Sequence, residues 1–319
     1  MSKKDFLLEI MVEEIPSRFQ SSAVDSFANL LISGFEKFRI AYENPVHYIT
    51  PRRMVFGARL NPEIPGFTEE KKGPQVTAPA KTIDGFLKSI NVSRDCCNEK
   101  VIDKKTFLVA NVVHEPGVAT DFLDVIVRDA VVGIPWPKSM HWGPKMFRFV
   151  RPITHIMCVF DGKLMPIGFD EIGLQSRDFT TGHLFMHRSD SGESLHVTAD
   201  IDVEKIYAGN ITEYLEKLRE AFVIVDPEER KRVILQSVSA VESRHCGVCV
   251  EVPDALMNEI VGLVEYPVVF FADIPDKFMR LPEEAIIVPM RVHQRYFPTR
   301  MVDSQKLAPH FVFVANTMP

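Results

Sequence analysis

The first sixty residues carry the pattern that most limits the fold of this chain. Residues 6–11 have the pattern of a buried strand, apolar except for Glu9, and residues 47–50 and 54–60 are two further strand patterns. Between them, over about residues 17–40, apolar side chains recur at the spacing of an amphipathic helix: Phe19, Ala23, Phe27, Leu30, Leu31 and Phe35. Ser17 is placed to cap this helix. The order strand, helix, strand, strand is half of a split β-α-β unit.

Short strand and helix patterns then alternate irregularly. Helical spacing recurs at 83–90, 120–132, 212–220 and 253–263. Strand patterns occur at 106–113, 153–160, 164–169, 222–225, 248–252, 267–272 and 311–315. The clearest helix start is Asp226, which is followed by a proline and two carboxylates, and this helix should run to about His245. We therefore predict a multi-lobed α+β fold with mixed or antiparallel sheets and packed helices.

Two segments should interrupt this alternation. Residues 62–80 are polar and contain prolines, and the sequence KKGP at 71–74 is typical of a turn or loop. Residues 283–294 have helical spacing, but Pro289 removes one hydrogen bond and should kink the helix. Twenty-two prolines and 23 phenylalanines indicate short elements packed closely together rather than long bundles.

The length predicts more than one compact core. A chain of 319 residues exceeds the size at which single cores stop growing, about 250–300 residues. Breaks near 135–152 and 189–195 suggest three lobes. These are an N-terminal α+β lobe at 1–136, a basic and aromatic connector with a hairpin at 137–192, and a C-terminal α+β lobe at 193–319.

Charge and cysteine content limit the partners and the compartment. There are 43 acidic and 37 basic residues, a net charge of −6, so any contact with nucleic acid must come from a local patch. The start of the chain lacks a secretory signal pattern, and no apolar run approaches the roughly 20 residues of a membrane span. Five cysteines without such a signal are typical of reduced thiols, so we expect a cytoplasmic protein with no membrane partner.

One stretch, residues 130–160, contains no Asp or Glu at all. Its cations and aromatic residues include Lys138, Lys145, Arg148, Arg151, Trp136, Trp142, Phe147 and Phe149. Cations among aromatic rings suit an unpaired nucleic acid strand, because the cations pair with phosphates while the rings stack on bases. The alternative is a connector whose aromatic side chains are core, since apolar and basic residues alternate in many half-buried strands. Composition alone leaves both interpretations open.

Two smaller clusters lie in the C-terminal lobe. Arg291, His293 and Arg295 suit a phosphate or a protein partner, or they mark an exposed helix end. Cys246 and Cys249 have the spacing of a redox pair or of half a zinc site, but they lie between a helix end and a strand, without further ligands nearby. We expect both thiols to be buried packing residues. The sequence contains no Walker-type phosphate loop, no GxSxG elbow and no HExxH motif.

Ten short motifs occur in a recognisable order along the whole chain. They are LLEIMVEEIP (7–16), TPRRM (50–54), KKGP (71–74), PKSMHWG (137–143), RFVRPI (148–153), TTGHLF (180–185), LVEYPV (263–268), LPEE (281–284), HQRYF (293–297) and PHFVFVAN (309–316). Together they resemble the β subunit of bacterial heterotetrameric glycyl-tRNA synthetase. The resemblance implies that the chain is the N-terminal part of a longer β subunit.

The resemblance also implies a function in attaching glycine to tRNA. In this family the ATP and glycine site belongs to the separate α subunit. We therefore expect no catalytic residue, metal or cofactor in this chain, and we expect the α subunit and tRNA(Gly) as partners. One alternative is a structural domain that holds the α subunit without contacting RNA. Another is an independent thiol or metal enzyme built on Cys246 and Cys249.

The candidate RNA-binding residues come from the cations within or beside these motifs. They are Arg52, Arg53, Lys138, Lys145, Arg148, Arg151, Arg291, His293 and Arg295. The chain departs from the family pattern at positions where arginine is common: His141, Thr154, Thr181 and Leu184.

Overall fold

The computed structural model describes residues 2–90, 93–94, 97–102, 105–142, 147–186 and 204–318. The helices are α1 (Ser17–Lys37), α2 (Ala80–Ile90), α3 (Thr120–Gly133), α4 (Ile211–Glu220), α5 (Pro227–Arg244), α6 (Asp254–Val261) and α7 (Glu283–Val288), with a π-helix at Pro289–Gln294. The strands are β1 (Lys4–Val12), β2 (Tyr42–Ile49), β3 (Arg53–Leu60), β4 (Glu63–Ile64), β5 (Phe67–Gln75), β6 (Cys97–Ile102), β7 (Lys105–His114), β8 (Gly117–Val118), β9 (Met140–Trp142), β10 (Phe147–Phe149), β11 (Ile153–Phe160), β12 (Lys163–Leu164), β13 (Gly168–Phe169), β14 (Leu174–Gln175), β15 (Phe179–Thr180), β16 (Ile206–Tyr207), β17 (Val248–Val250), β18 (Val268–Asp273), β19 (Phe297–Met301) and β20 (Leu307–Ala315). Antiparallel sheets with short packed helices confirm the predicted α+β class.

The chain divides into two compact units. The larger contains the residues up to 60 together with those from 123 onward, and the smaller contains residues 61–122. This division differs from the predicted lobes at 1–136, 137–192 and 193–319, which followed the order of the sequence. The physical reason is that β11, from the predicted connector, pairs along its length with β1, so these two segments share one sheet.

A five-stranded antiparallel sheet forms the centre of the larger unit, in the order β12-β11-β1-β3-β2. β1 lies in the middle, where Ile10 faces Ile156 of β11 on one side and Met54 of β3 on the other. Every residue from 6 to 12 is buried. A strand covered on both faces needs a nearly continuous apolar run, which is the pattern that the sequence shows there.

Helices cover both faces of this sheet. On one face, the ring of Phe35 from α1 lies 5.9 Å from that of Phe6 and 6.0 Å from that of Phe56, measured between centroids. On the other face, Tyr214 and Leu218 of α4 join a buried apolar cluster with side chains of β1, β3 and β11. The sheet is therefore the middle of three layers.

A second antiparallel sheet lies in the C-terminal part of the same unit, in the order β17-β19-β20-β18. Helices α5 and α6 pack on it through Ile234, Val238 and Met257. As predicted, α5 begins at its proline, and the side chain of Asp226 accepts a hydrogen bond of 2.9 Å from the backbone N–H of Glu228. The predicted interruption at Pro289 is also confirmed, because α7 ends at Val288 and a π-helix begins.

The smaller unit is built on a three-stranded antiparallel sheet in the order β5-β7-β6. Its strand β5 occupies part of the segment that the sequence predicts as a polar loop, so that prediction is wrong. The register between β5 and β7 shifts between Lys72 and Gln75, which leaves Gly73 and Pro74 at an irregularity. The residues typical of a turn therefore form a bulge, where a proline without an N–H donor is tolerated.

Candidate nucleic-acid interface

The middle of the acid-free stretch forms a two-stranded ribbon in the larger unit, between the end of α3 and β11. Strands β9 and β10 pair antiparallel, with Phe147 opposite Trp142 and Arg148 opposite His141. Because side chains alternate across a strand, Arg148 and His141 share one face, and both are exposed. The opposite face of β10 carries Phe147 and Phe149, both buried.

The aromatic side chains of this ribbon belong to the core. Phe149 is fully buried, and its ring centroid lies 5.0 Å from that of Trp136 in an edge-to-face contact. Phe147 packs against Phe169 with centroids 6.1 Å apart. The indole N–H of Trp142 donates to the carbonyl of Phe149 at 3.0 Å. Because the rings of Phe147 and Phe149 are buried, a nucleic acid base cannot stack on them. This is what the connector interpretation predicts.

The cations of the ribbon point to solvent. Lys138 and Arg148 are exposed, and we call these two residues the ribbon cations. The Nε of Arg148 donates to the Ser139 hydroxyl at 3.2 Å, which places the guanidinium beside the residue that follows Lys138. Among the described residues neither ribbon cation has an ion pair. The candidate Lys145 lies outside the described residues.

Arg52 and Arg151 lie together at one end of the five-stranded sheet. The carbonyl of Arg52 accepts from Val12 N–H at 2.8 Å, and Arg151 Nε donates to the Glu14 carbonyl at 3.1 Å. Arg151 is exposed and Arg52 is half-buried. The exposed carboxylates of Glu13 and Glu14 share this loop, so the local charge is mixed.

Arg53 is the candidate that lies entirely away from solvent. Its Nη1 donates to Glu9 Oε2 at 3.2 Å, and its Nε donates to Glu265 Oε1 at 3.0 Å. Further hydrogen bonds go to Thr180 Oγ1 at 3.0 Å and to the carbonyl of Gly182 at 2.8 Å. A buried guanidinium that donates to two carboxylates does not reach a phosphate, so Arg53 is not an RNA contact in this structure.

The Arg53 network fixes the charge state of its members. Burial alone would raise the pKa of Glu265, but Arg53 and the hydrogen bond from Thr50 hold that pKa below its ordinary value. Burial and the neighbouring Glu9 raise the pKa of Tyr214 well above its ordinary value, and the Tyr214 hydroxyl donates to Glu9. Because its members come from β1, β3, α4 and the loop before β18, the network ties the two sheets of the larger unit together.

The C-terminal candidates are largely paired with carboxylates. Arg291 forms an ion pair with Glu251, and Arg295 Nε donates to Glu259 at 2.9 Å. His293 is exposed on the π-helix. The two arginines are therefore neutralised locally, and this cluster offers a phosphate less positive charge than its sequence indicates.

The thiols of Cys246 and Cys249 are exposed, so the prediction that they are buried is wrong. Helix α5 ends two residues before Cys246, and the chain turns at Gly247 (φ 88°) into β17, an edge strand that leaves Cys249 uncovered. Within the described residues, no group of three or more His, Cys, Asp or Glu is placed to hold a metal ion.

Sequence reasoning missed one group of cations and rings. Phe179 of β15 lies directly opposite Tyr207 of β16, with ring centroids 5.9 Å apart. Arg177 Cζ and Lys205 Nζ lie 5.5 Å and 5.0 Å from the Phe179 centroid. Arg177 and Lys205 each precede their aromatic residue by two positions, just before β15 and β16. In extended backbone this spacing puts both side chains on one face, so the signal was present in the sequence. We call these four residues the Phe179–Tyr207 surface.

The described helices include none that is long and apolar enough to cross a membrane.

Comparison with known proteins gives one consistent result. A family model described as glycyl-tRNA synthetase beta subunit matches residues 6–319. A glycine–tRNA ligase beta subunit of Rhodospirillum centenum is 34% identical over an alignment 337 residues long, gaps included. The alignment covers 98% of this chain and 45% of the relative. Proteins of the same description from Clostridioides difficile and Rickettsia conorii are 33% and 32% identical, each covering 98% of this chain and 44% of the relative. The chain thus spans less than half the length of these relatives.

Proposed function

This chain belongs to the glycyl-tRNA synthetase beta subunit family, and on that premise we propose that it binds tRNA(Gly) and assembles with the α subunit of a glycine–tRNA ligase. The relatives are named as beta subunits, which supports a partner subunit. Their names also describe a ligase that acts on tRNA and glycine, which supports tRNA as the ligand. We place the complex in the cytoplasm, where tRNA is charged.

The single observation that carries RNA binding is the exposed pair of ribbon cations. Lys138 and Arg148 lie in a stretch of 31 residues without a carboxylate, in a chain whose net charge is −6. The buried rings beneath them fix the ribbon backbone, so the cations sit on a rigid support. Lysine and arginine side chains without neighbouring carboxylates pair with phosphates. Such contacts position a nucleic acid on the protein but do not distinguish its bases.

The salt dependence of tRNA binding tests this proposal. Each phosphate contact contributes a log–log slope of about −0.7 on a single strand and about −0.9 on a duplex. The double variant Lys138→Gln, Arg148→Gln should therefore flatten the slope by roughly 1.4 to 1.8 and weaken binding at low salt. The matched control is Lys163→Gln, Arg232→Gln, which removes two exposed cations from other elements and should leave the slope unchanged.

The competing function is a subunit-interaction domain without RNA contact. The burial of Phe147 and Phe149 favours it, because these rings serve packing rather than base stacking. A wild-type chain that binds the α subunit but shows no salt-dependent binding of tRNA(Gly) would establish that alternative. A folded ribbon double variant with wild-type tRNA affinity and slope would instead move the RNA contact away from the ribbon cations.

We also propose that this chain does not perform the chemical step. The sequence contains no phosphate-loop motif, and the resemblance assigns ATP and glycine to the α subunit, so no cofactor is expected here. The purified chain should form no glycyl-adenylate. Pyrophosphate exchange with ATP and glycine measures this directly, and exchange by the chain alone above a mock preparation would contradict it.

A further inference from the structure

The Phe179–Tyr207 surface combines one exposed ring, that of Tyr207, with two cations that form no ion pair among the described residues. Tyr207 is 51% exposed, and Arg177 and Lys205 are exposed as well. In the described part of the chain, neither cation forms an ion pair with a carboxylate. Phe179 is half-buried and is flanked by both cations.

A cavity of about 330 Å³ opens beside Tyr207. Lys205 and Lys217 also line it, and Lys217 Nζ donates to the carbonyl of Tyr207 at 2.7 Å. The carboxylates of Glu204 and Glu220 border the same cavity. Its size is at the lower end of the range for small-molecule sites, about 300–1,000 Å³, which suits one nucleotide rather than a folded partner.

Strand β15, which carries Phe179, is anchored by hydrogen bonds to buried side chains. The carbonyl of Phe179 lies 2.6 Å from His155 Nε2, and the hydroxyl of Thr180 donates to Glu9 at 2.6 Å. Arg53 in turn donates to Thr180 at 3.0 Å. These contacts hold the backbone at Phe179 and Thr180, and the Phe179 ring packs against His155 with ring centroids 5.3 Å apart. Such preorganisation lowers the entropic cost of binding.

We propose that the Phe179–Tyr207 surface binds an unpaired nucleotide of an RNA strand. Tyr207 stacks on the base, and Arg177 and Lys205 pair with the flanking phosphates. The carboxylates of the cavity accept hydrogen bonds from an exocyclic amino group of the base. This inference rests on the proposed function, since it assumes that the chain meets RNA, but it uses side chains separate from the ribbon cations.

The test uses the whole 319-residue chain and three RNA probes. Fluorescence anisotropy measures the affinity for a labelled 12-nucleotide single strand, for a hairpin duplex of the same composition, and for cytidine monophosphate as a free nucleotide. Tyr207→Ala removes the stacking ring, and Tyr207→Phe keeps it and serves as the matched control. Circular dichroism and thermal unfolding confirm that each variant is folded.

We expect Tyr207→Ala to weaken single-strand binding by roughly 5- to 100-fold, the range for one lost stacking contact. Tyr207→Phe should stay within about twofold of the wild type, and duplex affinity should not change in either variant. Lys205→Gln should flatten the salt slope for the single strand by about 0.7. Cytidine monophosphate should compete only weakly, since it lacks the second phosphate of a strand.

Failure of this inference is distinguishable from failure of the proposed function. A folded Tyr207→Ala variant with unchanged single-strand affinity would overturn the inference, while tRNA binding through the ribbon cations would still stand. A wild-type chain that binds neither tRNA nor the single strand would overturn both. Loss of α-subunit binding in Tyr207→Ala, with RNA affinity unchanged, would assign the surface to a protein contact and overturn the inference.

Discussion

Replacing Arg53 with methionine tests whether the buried ion network holds the larger unit together. Methionine has a similar apolar length and no charge, so Arg53→Met leaves Glu9 and Glu265 buried without their cation. It also removes the donors to Thr180 and Gly182. Removing one partner of a buried ion pair costs about 3–5 kcal/mol. Since folded domains have a total stability of about 5–15 kcal/mol, we expect a large part of it to be lost.

The pH dependence of this loss has a defined sign. In the folded protein the pKa of Glu265 lies below its ordinary value, because Arg53 and Thr50 outweigh the effect of burial. A depressed carboxyl pKa contributes stability above the pKa of the unfolded chain, and that stability is lost as the pH falls through the folded pKa. Arg53→Met lacks this contribution. In the variant, protonation of Glu9 and Glu265 removes the unpaired buried negative charge as the pH falls. The stability difference between variant and wild type should therefore shrink between about pH 7 and about pH 4.

Urea unfolding followed by tryptophan fluorescence measures the effect, since Trp136 and Trp142 both lie in the larger unit. Arg52→Met is the matched control, because Arg52 is the half-buried neighbour and the ion pairs with Glu9 and Glu265 are made by Arg53. It should change the free energy of unfolding by less than about 1 kcal/mol. The reasoning would be refuted if Arg53→Met cost less than about 1 kcal/mol at neutral pH, or if its cost did not vary with pH.

Three further changes should have local effects. Asp226→Ala removes the cap of α5 and should cost about 1 kcal/mol in thermal or urea unfolding; an unchanged midpoint would show that the cap is dispensable. Gly34→Ala would place a Cβ 2.6 Å from Cγ2 of Ile126, so we expect a cost of about 1–3 kcal/mol, and a neutral result would mean that α3 gives way. Cys246 and Cys249 should both be labelled by a thiol reagent in the native protein, Cys249 the more slowly because partial burial and the Glu242 carboxylate raise its pKa. Replacing both with serine should leave the urea midpoint unchanged; labelling of neither thiol before the protein unfolds would contradict their exposure.

Local signals predicted the elements whose caps and apolar spacing are complete within their own segment. Helix α5 is the clearest example, because its capping acid, its proline and its apolar spacing all lie between residues 226 and 244. The central strand β1 was predicted for the same reason, since a strand buried on both faces is largely apolar, and from Phe6 to Val12 only Glu9 departs from that pattern. Such elements depend little on which segment becomes their neighbour.

Elements stabilised by distant partners were not predictable in this way. Strand β5 is polar along most of its length, and it is held by pairing with β7 rather than by its own propensity. The predicted lobes were placed by composition, whereas β11 joins β1 across more than 140 residues of sequence. The composition of a segment does not show which distant strand it pairs with. The division into two units could therefore not be predicted from composition.

The same limit applies to the candidate site. Arg52 and Arg53 are adjacent and alike in sequence, yet only Arg53 reaches Glu265, which lies 212 residues away. The sequence predicts the ribbon cations as RNA contacts, and in the structure both are exposed. The burial of Phe147 and Phe149 depends on Trp136 and on Phe169, which local sequence does not place beside them. A sequence shows which side chains suit phosphate, and packing decides which of them reach solvent.

Photo-crosslinking of the chain to tRNA(Gly) tests the central claim most directly. The tRNA would carry 4-thiouridine, and mass spectrometry would identify the cross-linked peptides. We expect cross-links in peptides spanning residues 138–149, lost when both ribbon cations are replaced by glutamine, and none at the buried Arg53. Retention of tRNA with cross-links only outside this ribbon, or no retention of tRNA at all, would contradict the account.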